Sequence, residues 1–194
     1  LRKVSSAAEP ANLFYTSSRK EWRAWLRRHF QSTKDVWLVY YKKESGKARI
    51  SYNDAVEEAL CFGWIDSTVR RLDGQRFAQR FSPRKPASQY SPANKERLRH
   101  LVASGKVHKT VLPTLGDLDV EPLVIAPDIL QAIRANGLAW KHFRSYSDAY
   151  KRIRIGFIEG ARNRPAEFRK RLDYFVKMTH ANRQFGFGGI DKYY

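Results

Sequence analysis

Apolar positions recur along this chain with two periods, and each period predicts its own elements. From Arg19 to Phe30, Trp22, Trp25, Leu26 and Phe30 fall at i, i+3, i+4 and i+8, which predicts an amphipathic helix with an aromatic inner face. Val36 to Tyr41 is apolar on both alternating faces and predicts a central strand. Glu44-Ser45-Gly46 is expected to turn it toward a short strand around Ala48 to Ile50. Ser51-Tyr52-Asn53-Asp54 reads as a helix start, with Ser51 as cap and Asp54 facing the unpaired N–H groups. Ala55, Val56, Ala59 and Leu60 then form the inner stripe, with Glu57 and Glu58 expected to face away. Gly63 ends this helix, because glycine accepts the left-handed conformation common after a last turn.

The period then drops to two. Trp64 to Leu72 and Gln75 to Phe81 read as a hairpin joined by a two-residue Asp73-Gly74 turn. Its register would place Trp64, Asp66, Thr68, Arg70, Phe77, Gln79 and Phe81 on one face. Aromatic, acidic, basic and neutral polar side chains together can line a partly polar pocket. The competing reading is a core face whose polar ends reach solvent. Ser82 to Tyr90 is a polar loop, in which the planar fork of Arg84 suits an anionic group. The candidate ligand-binding residues are therefore Trp64, Asp66, Arg70, Gln79, Arg84 and Lys85.

Downstream, Ser91-Pro92 starts a helix that runs to Ser104, and Gly105 stops it. Pro113, Pro122 and Pro127, with four nearby acids, mark a linker. Helical patterns follow at Asp128–Ala135, closed by Asn136-Gly137, and at Leu138–Phe143. Two more follow Ser147, with Tyr150, Ile153, Phe157, Ile158 and Ala161 as a stripe, and Pro165, with Phe168, Leu172, Phe175, Val176 and Thr179 on one face. Residues 1–15 show no such pattern and are expected to be disordered or loosely docked. The expected architecture is α+β: a small antiparallel sheet with flanking helices over 12–109, a linker over 110–126, a helical module over 127–183, and a Gly/aromatic tail over 184–194 that docks on the core or on another subunit.

Charge changes the picture. The 194 residues carry a net charge of +18, unevenly distributed. Residues 67–109 hold 11 basic and 2 acidic side chains, and residues 141–183 hold 12 and 4, whereas 110–140 hold 1 and 4. Two basic segments thus flank an acidic connector. Such a chain attracts an anionic ligand or nucleic acid and repels a cationic peptide. The bland alternative is that the charge serves solubility alone.

Chemistry is harder to find. Cys61 lies in an apolar run and reads as a buried, inert thiol; one cysteine forms no internal disulfide and fits a reducing cytoplasm. The five histidines lack metal-ligand spacing. There is no phosphate-cradling glycine loop, nucleophile elbow or dinucleotide fingerprint. No catalytic residue, metal or cofactor is assigned. Asp66 is the one acid in an apolar segment, expected to pair with Arg70 or Arg84. No apolar run has the length of a membrane span, and the start lacks a signal-peptide core, so a cytoplasmic protein is expected, although a first residue other than Met leaves room for a trimmed leader.

Several pieces together carry a resemblance: Trp22-x-x-Trp25-Leu26, Val36-Trp37-Leu38 with Tyr41-Lys42-Lys43, Ile50-Ser51-Tyr52, the run Ala59-Leu60-Cys61-Phe62-Gly63-Trp64-Ile65-Asp66, Phe81-Ser82-Pro83-Arg84-Lys85 and Ser91-Pro92-x-Asn94. With the helical segment from Ala139 to about Lys177, they resemble the YdeI/OmpD-associated family of bacterial proteins over most of the chain. Tyr90 departs from the tryptophan expected before Ser91 but keeps an aromatic ring. The resemblance implies a link to protection against bacteriocins or antimicrobial peptides and transfers no catalytic residue. Three classes remain: a non-enzymatic binding or stress-protection protein, a sequence-nonspecific nucleic-acid binder acting through the basic segments, and an enzyme with its acid at Asp66.

Overall fold

The periodic segments become four strands and seven helices in the computed structural model, which describes residues 10–86, 88–116, 118 and 122–186. The strands are β1 (Leu13–Tyr15), β2 (Val36–Tyr41), β3 (Trp64–Arg71) and β4 (Arg76–Pro83). The helices are α1 (Arg19–His29), α2 (Tyr52–Cys61), α3 (Pro92–Ala103), α4 (Pro127–Arg134), α5 (Gly137–Ser145), α6 (Asp148–Glu159) and α7 (Pro165–His180). The α+β expectation holds: a small sheet with helices comes first and a helical region follows. The helical pattern of the second half also makes the chain's later stripes into real helices.

Two units are described separately. The first comprises the described residues up to Ser88 together with Gly105–Gly116. Its sheet has the order β1-β2-β4-β3 and is mixed rather than purely antiparallel, because β1 pairs parallel with β2. Three residues, Leu13-Phe14-Tyr15, are too short to show a period, so this strand falls in a stretch expected to be loose. The expected strand around Ala48 to Ile50 does not form. A 3-10 turn at Lys43–Ser45 and Gly46 in the left-handed region lead instead into an irregular segment that buries Ile50.

Helices α1 and α2 cover one face of the sheet. Trp22 stacks on Phe14 at 5.9 Å and contacts Phe81 at 5.4 Å, and Trp25 meets Trp64 edge-on at 5.9 Å. The two buried indoles are satisfied: Trp22 Nε1 donates to the Ala55 carbonyl at 3.0 Å and Trp64 Nε1 to that of Phe30 at 3.1 Å. Ser51 caps α2 by accepting from the Asp54 N–H, and Gly63 (φ 71°) turns the chain into β3. Part of the expected linker folds onto this unit: Val111 packs 3.5 Å from the position a Cβ on Gly63 would occupy, just after His108, whose N–H donates to the Cys61 carbonyl at 2.8 Å.

Glu57 and Glu58 do not face away from the core as expected; they are 1% and 3% exposed. Their partners come from α1. Arg19 reaches Glu57 at 3.0 Å and Glu58 at 2.6 Å, while Arg23 reaches Glu58 at 2.6 Å. One helical turn separates the two arginines, so both project onto the same turn of α2. Burial works against the charge on Arg19, but Glu58, Glu57 and Asp54 outweigh it and hold the guanidinium more firmly protonated than usual.

The second unit comprises Gln89–Ser104 and the described residues from Leu118 onward. The structure therefore groups α3 with the later helices: Glu96 on α3 pairs with Arg152 on α6 at 3.0 Å, and Gly156 of α6 lies under the Pro92 ring. Ile129, Ile133, Phe143, Tyr150, Ile158, Leu172 and Phe175 form its core. Asn136 does not simply end α4; its side chain accepts from the Ala139 N–H and caps α5. Of the tail, Phe185 packs on Tyr174 and Phe175; residues 187–194 lie outside the described residues. Among the described residues no helix is long and apolar enough to cross a membrane.

Candidate functional site

The hairpin that carries most of the candidate residues has a different register from the one expected. Arg71 pairs with Phe77, Arg70 with Ala78 and Val69 with Gln79, whereas Asp66 pairs with Phe81 as expected. The reason lies at the turn. The Asp73 carboxylate accepts from the backbone N–H groups of both Gln75 and Arg76 at 2.7 Å, which draws Gln75 into the loop and makes it three residues long. The resulting shift of one is absorbed by a bulge between Asp66 and Val69, where one extra residue sits on β3. Trp64, Asp66, Gln79 and Phe81 stay on the helix-covered face. Arg70 goes to the other face with Ala78, because a one-residue slip reverses every side chain.

On the covered face Asp66 is the polar centre. It accepts from the Tyr52 hydroxyl at 2.8 Å and from the Gln79 amide at 3.4 Å, and the same amide donates to the Ser67 carbonyl at 3.1 Å. These neutral donors replace the arginine partner expected for Asp66. Tyr40 lies beside this cluster, and burial pushes its phenol well above the usual tyrosine range, with Tyr52 and Asp66 adding to the effect. Trp64 is 1% exposed, so it forms a wall of the core rather than an open platform. Cys61 is buried as expected; burial, with Glu58 nearby, pushes its thiol up to about 11.

Arg84 and Lys85 stand where β4 leaves the sheet. The Arg84 N–H donates to the Gly63 carbonyl at 2.9 Å, which holds this corner next to the start of β3. Arg84 is partly exposed, and Lys85 is exposed with its carbonyl turned to Ser88. The structure thus brings Trp64, Asp66 and Gln79 together, sets Arg84 and Lys85 at the adjoining corner, and places Arg70 on the opposite face.

Among the cavities of the second unit, none of which sequence reading singled out, two are rich in arginine. One, of ≈ 340 Å³, is lined by Tyr90, Lys95, Glu96, Arg99 and Arg152 among others; Glu96 lies 2.8 Å from Arg99 and 3.0 Å from Arg152. The other, of ≈ 290 Å³, lies among Arg154, Phe157, Lys170, Arg171 and Tyr174, with the Arg171 guanidinium 3.8 Å above the Phe157 ring. Their walls come from separate helices, so no local motif announces them. Among the described residues no group of three or more His, Cys, Asp or Glu side chains is placed to hold a metal ion.

Comparison with known proteins finds two family models along the chain. Residues 14–113 match a domain of unknown function (DUF8412), and residues 122–182 match the family described as "Bacteriocin-protection, YdeI or OmpD-Associated". The resemblance stated from the sequence is therefore shown on the helical region, and the Leu60–Asp66 run lies within the first match. No curated protein and no solved structure matches the chain.

Proposed function

Because this chain belongs to the family of the domain of unknown function DUF8412 and is YdeI/OmpD-associated-like over residues 122–182, we propose that it is a non-enzymatic binding protein contributing to protection against bacteriocins or antimicrobial peptides through an anionic partner. The observation that carries this reading is where the carboxylates go. Asp35 pairs with Arg80, Glu58 with Arg19 and Arg23, Glu96 with Arg99 and Arg152, Asp128 and Glu159 with Arg162, and Glu167 with Arg171. Acids spent within the fold are poor receptors for a cationic peptide, and the net charge of +18 is left to face a polyanion. Arg84 and Lys85 are the candidate-site cations best placed to meet such a partner.

The test is a salt series with the purified protein, comparing short DNA and RNA duplexes, anionic vesicles and a cationic antimicrobial peptide. Polyanion binding that weakens steeply with salt supports the reading, since each neutralised phosphate releases counterions. Tighter binding of the cationic peptide than of any polyanion at near-physiological salt sinks it.

A second reading, a sequence-nonspecific nucleic-acid binder, is favoured by the clustering of charge in residues 67–109 and 141–183. An enzyme with its acid at Asp66 is the weakest reading, because both of that carboxylate's partners hold it as a structural acceptor. Turnover of any substrate that is lost in a folded Asp66→Asn variant would revive it.

A further inference from the structure

The sheet of the first unit has two faces, and α1 and α2 occupy only one. Phe14, Phe81 and Trp64 contact the tryptophans of α1, so Val36, which pairs with Phe81, Leu38, which pairs with Phe14, and Tyr40, two residues further on, lie on that face too. The other face is laid out in cross-strand rows. Leu13, Trp37 and Arg80 are in register across β1, β2 and β4. Tyr15, Val39, Ala78 and Arg70 form the next row across all four strands, and Tyr41 and Arg76 the third. Val39 and Ala78 are small and buried, so they make a floor. Trp37 and Tyr41 are partly exposed and Tyr15 is 45% exposed, so their rings stand around it. Trp37 and Tyr41 are four residues apart on one strand, which separates their ring attachments by about 13 Å.

Cations frame these rings. Arg80, Arg76 and Arg70 follow from the register, and Lys47 holds its ammonium 4.7 Å from the Tyr41 ring centroid. Two carboxylates temper the positive charge: Asp35 pairs with Arg80 and Asp73 with Arg76, each at 2.6 Å. Arg70 and Lys47 leave the balance positive. Tyr15 is held in place by a hydroxyl bond to the Ala48 carbonyl at 2.6 Å and by edge contact with Tyr41 at 5.0 Å. Spaced rings on one sheet face, bordered by guanidinium groups, match the requirements of unpaired bases on a charged backbone: a π-face for each base and a cation for each phosphate. A duplex hides its base faces within the stack and cannot use the rings.

We propose that the sheet face bearing Tyr15, Trp37 and Tyr41 binds single-stranded nucleic acid, with bases stacked on these rings and phosphates drawn to Arg70, Arg76 and Arg80. This rests on the anionic-partner reading and narrows it to one class of polyanion and one face. Arg70 thereby takes a role on the face opposite to Asp66. The three-residue turn at Asp73 puts it there, and the bulge in β3 lets Asp66 stay on the covered face.

The experiment uses the full chain and fluorescently labelled dT and rU 15-mers, with a DNA duplex of equal length and heparin as comparison polyanions. Both 15-mers should bind more tightly than the duplex. Trp37→Ala and Tyr41→Ala should each weaken 15-mer binding about tenfold or more, with duplex binding changed less than twofold. Trp37→Phe keeps a ring and should retain most of the affinity. Trp22 and Trp64 are buried, whereas Trp25 and Trp140 are partly exposed like Trp37, so the 15-mer should quench tryptophan emission more strongly in the parent than in Trp37→Phe, and equal quenching in the two overturns the proposal. This readout stands even if an alanine variant fails to fold. Heparin or duplex binding with no preference for the 15-mers, or 15-mer binding indifferent to Trp37 and Tyr41, overturns the proposal while leaving the anionic-partner reading intact. Failure of every polyanion to bind overturns both.

Discussion

Replacing Gly156 with alanine should destabilise the second unit, although local helix propensity argues the reverse. Gly156 lies inside α6, where alanine is favoured over glycine by about 1 kcal/mol. Opposing this is the Pro92 ring at the start of α3. A Cβ built on Gly156 would sit 2.4 Å from Pro92 Cγ and 3.1 Å from its Cδ. Ordinary contact begins near 3.4 Å, so the ring would have to retreat by about 1 Å, the difference between 3.4 and 2.4 Å. A pyrrolidine ring at the first position of a helix has little freedom to do so, because it is tied to the backbone on both sides. Overpacking costs about 1–3 kcal/mol, and so large a retreat by a restrained ring belongs to the upper part of that range, about 2–3 kcal/mol; after the propensity gain of about 1 kcal/mol, the net loss expected for Gly156→Ala is about 1–2 kcal/mol.

Urea denaturation followed by far-UV circular dichroism measures this loss, and a double-mutant cycle with Pro92→Ala isolates its cause. Pro92→Ala removes Cγ and Cδ and leaves only a Cβ, which the new methyl would meet at 3.4 Å. In that background Gly156→Ala should be neutral, or stabilising by up to about 1 kcal/mol, as propensity alone dictates. The coupling between the two sites should therefore reach at least about 1 kcal/mol, above the few tenths expected of independent positions. If Gly156→Ala alone matches or exceeds the parent in stability, the close approach of α3 and α6 is not what restrains that position, and the reasoning fails.

Three other outcomes follow from the first unit. Arg19→Ala strips partners from Glu57 and Glu58; the arginine side chain is 31% exposed, so we expect about 2–3 kcal/mol, below the range for a fully buried pair, in a urea or thermal melt, and a loss under about 0.5 kcal/mol would show that water already satisfies the two acids. Cys61 should react with iodoacetamide at pH 8 about 100-fold more slowly than a thiol of ordinary pKa, because burial raises its thiol from 9.0 to about 11; unfolding in urea should abolish the protection. The raised value also gives a sign for pH dependence: this contribution to stability is complete below pH 9 and lost as the pH rises toward about 11, which melts at pH 8, 9 and 10 would detect. Asp66→Ala removes the acceptor shared by Tyr52 and Gln79 and should cost about 1–2 kcal/mol in the same melts, with Asp66→Asn recovering part of it.

What could be read from the sequence was what depends on neighbours along the chain. The caps at Ser51 and Ser91 are local, since each side chain accepts from the N–H three residues on. The run Val36–Tyr41 announced a central strand because both of its faces are apolar, and it pairs on both edges. Asp66 and Gln79 were correctly gathered, because the bulge before Val69 offsets the one-residue change at the turn and restores the expected pairing of Asp66 with Phe81.

The misses all lie where a distant partner or a single hydrogen bond overrides the period. Glu57 and Glu58 look solvent-facing on a helical wheel, and nothing in α2 says otherwise; the deciding residues are Arg19 and Arg23, more than thirty positions upstream. The hairpin shows the same limit at shorter range. An Asp-Gly pair favours a two-residue loop, but here the Asp73 carboxylate gathers two backbone N–H groups and lengthens it. That one residue sends Arg70 to the opposite face, and the bulge before Val69 keeps Asp66 and Trp64 in the core. The register expected from the sequence therefore merged two surfaces into one supposed site: a helix-covered cluster around Asp66, and a row on the opposite face in which Arg70 stands beside Ala78 and within the frame of Trp37 and Tyr41. A period of two cannot distinguish these arrangements, because it assigns faces only relative to a turn. Once the turn is known, the same alternation assigns every residue of both faces.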